Sequence, residues 1–117
     1  MLDEDQGCAV LTRVFNARGY QVERDVPFEE GTVAFTADGW DAASRVGFEY
    51  LTHAAGDHRD LTPDEIETLA ARMEQGELFL FIIDERQVDT ADDLEWAAQR
   101  FLDEVQRRRD AAAQASS

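Results

Sequence analysis

Leu78-Phe-Leu-Phe-Ile-Ile83 is an uninterrupted apolar run that stops abruptly at Asp84-Glu85-Arg86. Such a run reads as a strand with no polar face, so structure must pack against both of its sides. It is far too short to cross a bilayer. A sheet covered on both faces therefore constrains every other assignment, and this run is expected at or near its centre.

The second organising stretch is Arg45-Val-Gly-Phe-Glu-Tyr-Leu-Thr52, where Val46, Phe48 and Tyr50 alternate with Gly47, Glu49 and Leu51. The alternation predicts a strand with one thoroughly apolar face. Glu49 falls mid-strand on the other face, where an ionised carboxylate requires solvent, a partner or a metal ion. Upstream, Tyr20, Val22, Val26 and Phe28 alternate with Gln21, Glu23 and Asp25 in a first strand frayed by Pro27. Glu29-Glu30-Gly31 is a turn, and Thr32 to Thr36 a short second strand. Ala37 to Ser44 then leads into the third strand, with Asp38-Gly39 as the turn signal.

Three helices surround these strands. Asp3, Glu4 and Asp5 suit the positive end of a helix dipole; Cys8, Leu11, Val14 and Phe15 follow at helical spacing and Gly19 is the stop. Thr62 fits an N-cap, Pro63 the first helical position, Glu65 closes a capping box and Leu61 can staple onto Ile66. That helix runs over 62–75, with Ile66, Leu69, Ala70 and Met73 as its buried stripe. The last helix covers 90–109 on a stripe of Leu94, Ala97, Ala98, Phe101, Leu102 and Val105, and Arg107 to Arg109 fall at its negative end. The order is α-β-β-β-α-β-α: an α/β (α+β) chain forming a three-layer α/β/α sandwich around a mixed four-stranded sheet. Strands one to three are antiparallel, and a right-handed crossover makes three and four parallel. One domain over 1–110 and a flexible tail over 111–117 complete the expectation.

The chain has 117 residues, of which 44% are hydrophobic, enough for one core without staples. Its formal net charge is -15, and all 11 of its Lys+Arg cations are arginine. Such a field repels nucleic-acid phosphates and anionic lipid, so neither nucleic acid nor membrane is an expected partner. The acidity fits a solubilising surface, ordinary acidic helix starts, or a dedicated face for a basic protein or a DNA-mimic role. The lone Cys8 cannot form an internal disulfide and reads as a core residue of a cytoplasmic protein.

This element order, with an acid in the middle of the third strand, resembles the restriction-endonuclease-like fold of the PD-(D/E)XK nucleases. The resemblance is topological and covers the chain from its first helix to its last. It implies a magnesium ion held by an acid at the start of the second strand and by the (D/E)-X-K tripeptide of the third. The tripeptide falls on Glu49-Tyr50-Leu51, so leucine stands at the lysine position. Glu30 is the nearest equivalent of the first acid, with Asp38 and Asp41 at the opposite end of the hairpin. Arg45 or Arg72 could stand in for the lysine, although an arginine is always charged and a poor proton acceptor. Three readings of Glu49 follow: a rim carboxylate paired with Arg45, a relic in a family member that binds without cleaving, or a metal ligand in an active nuclease.

Other constellations carry less. His53, Asp57 and His58 share a loop but match no standard zinc spacing. Ser44 has no nucleophile elbow around it, and the glycines are dispersed, not gathered into a phosphate loop. Trp40, flanked by Asp38 and Asp41, is either an exposed anchor for a basic partner or folded back over the sheet edge. Trp96 is expected to widen the buried face of the last helix.

Two functions remain in view. One is a small acidic, non-catalytic interaction or regulatory domain that binds a basic protein partner, as immunity or antitoxin-like proteins do, with no cofactor and with Asp38, Trp40 and Asp41 at the contact. The other is a divalent-metal-dependent nuclease, or its remnant, using Glu30 and Glu49 with magnesium. Homo-oligomerisation through the first strand or the last helix is compatible with either.

Overall fold

The computed structural model describes residues 2–52 and 61–115. The elements are α1 (Glu4–Ala17), β1 (Glu23–Glu30), β2 (Val33–Asp41), β3 (Val46–Leu51), α2 (Pro63–Glu74), β4 (Phe79–Asp84), a 3-10 turn (Glu85–Gln87) and α3 (Ala91–Ala115). The sheet order is β1-β2-β3-β4, antiparallel except for the parallel β3–β4 pair. This is the expected α+β order and mixed sheet.

The two faces of the sheet carry two separate cores. On one, Val46, Phe48, Tyr50, Phe79 and Ile83 meet Cys8, Leu11 and Phe15 of α1 and Leu94, Ala98 and Leu102 of α3. On the other, Phe28, Val33, Trp40, Leu78 and Leu80 meet Leu61 and Leu69 at α2. Both faces of β4 are therefore covered, as the apolar run requires. Yet β4 is an edge strand, not a central one. Side-chain polarity reports what lies above and below a strand; it carries no information about whether its outer backbone edge has a neighbour.

The start of α2 is as expected. The Thr62 hydroxyl accepts from the Glu65 amide at 3.2 Å, and the Glu65 carboxylate accepts from the Thr62 amide at 3.0 Å. Asp3 and Gln6 form the same box at α1, and Gly19 follows its end with φ 97°.

The β2–β3 hairpin departs from expectation. Asp38-Gly39 is not a turn; β2 continues through it to Asp41, and the chain reverses over 42–45. There the Asp41 carboxylate accepts from the Ser44 amide at 3.1 Å, and the Arg45 amide donates to the Asp41 carbonyl at 2.8 Å. Gly39 pairs with Phe48 and Trp40 with Gly47. Each glycine lies under the aromatic ring of the facing strand: a Cβ on Gly39 would collide with Phe48 and come within 2.7 Å of Val22, and one on Gly47 would come within 2.7 Å of Trp40. Strand propensities span only about 1 kcal/mol. Burying Phe48 and Trp40 contributes roughly 2–3 kcal/mol apiece, so burial overrides the local turn preference.

Two further differences lie in α3. It continues to Ala115, past the expected helix end at 109, through a run of alanines with the best helix propensity. Arg108 and Arg109 consequently do not cap its end. Arg108 donates to the Glu74 carbonyl at 2.6 Å and Arg109 to the Ser44 carbonyl, and both guanidiniums lie over the Phe79 ring.

Candidate functional site

Because β2 reaches Asp41, Asp38 lies one step beyond the Gly39–Phe48 pair, beside Glu49. The Asp38 amide donates to Glu49 Oε1 at 3.1 Å, and the Tyr50 amide donates to Asp38 Oδ2 at 2.8 Å. The two carboxyl groups also hydrogen-bond to each other. Asp38 is 7% exposed and Glu49 3%. Two buried carboxylates in contact cannot both be ionised, and a hydrogen bond between them needs a proton on one. Burial raises the Asp38 pKa, against the lowering effect of the bonds from Glu49 and Tyr50. The pair is thus best described as two acids holding one proton.

Cys8 of α1 is close enough to register this charge. Burial first, and then Asp38, push its thiol far above the ordinary range, so it is inert as a nucleophile. Its neighbour in α1, Gly7, packs on the Tyr50 ring, where a Cβ would approach to 2.8 Å, and the Tyr50 hydroxyl donates to the Leu2 carbonyl at 2.7 Å.

Glu30, the expected partner of Glu49, is elsewhere. Its carboxylate is gripped by Arg45 through two bonds of 3.0 and 2.8 Å and by Arg72 at 2.6 Å. Hydrogen bonds from Arg45 first, then Arg72, lower its pKa to about 2. Arg45 also donates to the Glu77 carbonyl at 3.0 Å and stands 5.8 Å from the Trp40 ring centroid. Arg45 therefore pairs with Glu30, not Glu49, and both arginines that could replace the missing lysine are held by that one carboxylate. The cluster ties the β1–β2 turn to β3 and α2.

The predicted contact residues are not at an exposed tip. Asp38, Trp40 and Asp41 are all buried. Trp40 packs edge-on against Phe28 with centroids 5.3 Å apart. At Asp41 burial opposes ionisation, but amides of Gln21 and Ser44 donate to it and its pKa is lowered on balance. Trp96 does the reverse of what its stripe predicts: it is 64% exposed, with the Arg100 guanidinium 4.9 Å from its ring. His53, Asp57 and His58 lie outside the described residues.

A magnesium ion demands near-octahedral oxygen ligation and keeps several of its waters. The Asp38–Glu49 pair does not fit that requirement, since its oxygens accept from backbone amides and are engaged with each other at a position closed to solvent. Among the described residues, no group of three or more His, Cys, Asp or Glu side chains is arranged for a metal. No described helix is long and apolar enough to cross a membrane.

The residue that sequence reasoning missed was Asp38 as the neighbour of Glu49. A signal was present in Asp41-Ala-Ala-Ser44, an Asp at the first position of a turn with a serine three residues on. Centring the hairpin there, instead of at Asp38-Gly39, pairs Asp38 with Glu49. Comparisons with protein-family models, with curated proteins and with solved structures give no significant match.

Proposed function

We propose that this chain is a small, acidic, non-catalytic interaction domain of restriction-endonuclease-like fold that binds a basic protein partner. The observation that carries the reading is how charge is distributed. Arg13 pairs with Glu95, Arg18 with Asp103, Arg45 and Arg72 with Glu30, and Arg107 with Glu104. Arg24 donates to the Asp38 carbonyl, and Arg108 and Arg109 to carbonyls of Glu74 and Ser44. Among the described residues eight arginines are thus engaged within the chain, and 26 Asp+Glu stand against 11 Lys+Arg in the sequence. Exposed ion pairs of this kind add little stability, but each sets a carboxylate beside a guanidinium that a phosphate backbone would otherwise meet. An outward field of carboxylate steers basic surfaces in and nucleic acid away.

The competing nuclease reading draws on the adjacency of two acids across β2 and β3. Against it stand the closed carboxyl pair, the leucine at position 51 and the commitment of Arg45 and Arg72 to Glu30. Metal-assisted phosphodiester attack also requires a group to orient or deprotonate water, a contribution of about a hundredfold or more. The test is incubation with single- and double-stranded DNA and RNA in magnesium or manganese. No cleavage is expected, and Glu49→Gln should behave as the parent. Metal-dependent cleavage that disappears in Glu49→Gln would replace this reading with the nuclease one.

A further inference from the structure

We propose that the groove between the Glu85–Gln87 turn and the first turns of α3 docks a basic, amphipathic segment of a partner protein, with Trp96 as the anchor. This rests on the interaction-domain reading above and gives that reading a place. Trp96 is the exposed large hydrophobic residue among those described. The inward stripe of α3 is Leu94, Ala98, Leu102 and Val105, so Trp96 contributes nothing to the core. A tryptophan offers 150–250 Å² for burial, and leaving it in water is a standing cost that a partner can remove. It is also among the residue types that most often dominate binding energy.

The surface beside the ring is shaped to receive a side chain. Ile83, Gln87, Val88, Asp93, Trp96 and Ala97 line a groove of about 340 Å³. Its floor is apolar, from Ile83 and Val88 below and Ala97 alongside, and Asp93 and Gln87 form the rim. That volume suits one or two aliphatic side chains projecting from a larger partner.

Charge selects the occupant. Asp84, Glu85, Asp89, Asp92 and Asp93 precede the ring in sequence, against Arg86 and Arg100, while Glu95 is paired with Arg13. Arg100 already lies 4.9 Å from the Trp96 centroid, so the ring offers its apolar area to the partner while the acids beside it meet the partner's cations. A second copy of this chain would bring a charge of -15 and the same acidic rim to the contact, a like-charge juxtaposition that costs several kcal/mol. A segment with leucine-like residues on one side and arginine or lysine on the other satisfies both the floor and the rim.

The probe is a synthetic helical peptide of leucine and arginine with an apolar stripe, compared with one in which serine replaces leucine. Calorimetric titration at about 0.1 M salt leaves short-range attraction intact while screening beyond about 10 Å. The leucine–arginine peptide should bind one to one, and Trp96→Ala should weaken it about tenfold or more. Glu67→Gln with Glu74→Gln removes two charges from exposed positions of α2 and should change affinity by no more than about twofold. The serine peptide should bind more weakly and ignore Trp96→Ala. Unaltered Trp96→Ala affinity for the leucine–arginine peptide would overturn the docking site while leaving the acidic-interaction reading in place. Failure of both peptides to bind would defeat that reading and the site together. A concentration-dependent dimer of the parent that Trp96→Ala abolishes would overturn the proposal by giving the groove to a second copy.

Discussion

Asp38 and Glu49 show how little latitude a buried acid has. Each is sealed from water, each accepts a backbone amide, and the shared proton removes the charge that neither could carry alone. The direction of the Asp38 shift fixes a pH dependence. Its folded pKa is raised, so the folded state binds the proton more tightly than the unfolded chain. The resulting stabilisation is complete below the ordinary carboxylate range and is lost as pH rises through the folded value. Glu30 behaves oppositely: its lowered pKa stabilises above the ordinary range and is lost as pH falls toward about 2. The two windows open in opposite directions from the ordinary carboxylate range. Asp38→Asn can still accept from the Tyr50 amide, and its NH2 donates to Glu49 as the protonated acid does. As pH rises from the ordinary carboxylate range, its urea midpoint should therefore decline less than that of the parent. A decline equal to the parent's would mean that the proton is not shared as described.

At the scale of elements, a local signal is kept where no distant contact competes with it. The Thr62–Glu65 box forms residue for residue because its bonds span one helical turn and need no distant neighbour. Glu65 Oε2 further accepts from the Ala34 amide at 3.0 Å, fastening α2 to β2. Thr62→Ala should lower unfolding free energy by about 1 kcal/mol in chemical denaturation; a variant matching the parent within error would mean that the cap contributes nothing. Long-range facts were not legible in the same way. Asp38-Gly39 spells a turn, and only the Phe48 ring across the hairpin makes it a strand. Reading the turn five residues early displaced Asp38 and Trp40 to a surface they do not occupy and gave Glu49 the wrong partner. The edge position of β4 was hidden because Phe79, Leu80 and Ile83, on its two faces, are buried above and below in either arrangement. Trp96 was misplaced by its neighbours Ala97 and Ala98, since one residue of helix is a rotation of 100°.

Across the whole molecule, the layered order and the sign of the surface charge were readable from pattern and composition, whereas the pairing of α1 with α3 was not. That pairing joins the most distant parts of the described chain. Arg13 meets Glu95 across a separation of 82 residues, and Phe15 stacks on Phe101 with centroids 6.3 Å apart. The β1–β2–β3 meander, by contrast, closes short loops. Closing a long loop must precede any contact that rewards it, so the helical layer should assemble after the sheet and detach before it. Leu102→Ala, which opens a cavity in that layer at a cost of about 2–5 kcal/mol, should then accelerate unfolding and leave refolding nearly unchanged. Refolding slowed in proportion to the lost stability would place the α1–α3 contact in the transition state instead. Cys8, fully covered by this layer, turns the same feature into a clock. Its alkylation by a thiol reagent should track the opening of one layer of the protein while the sheet beneath is still intact.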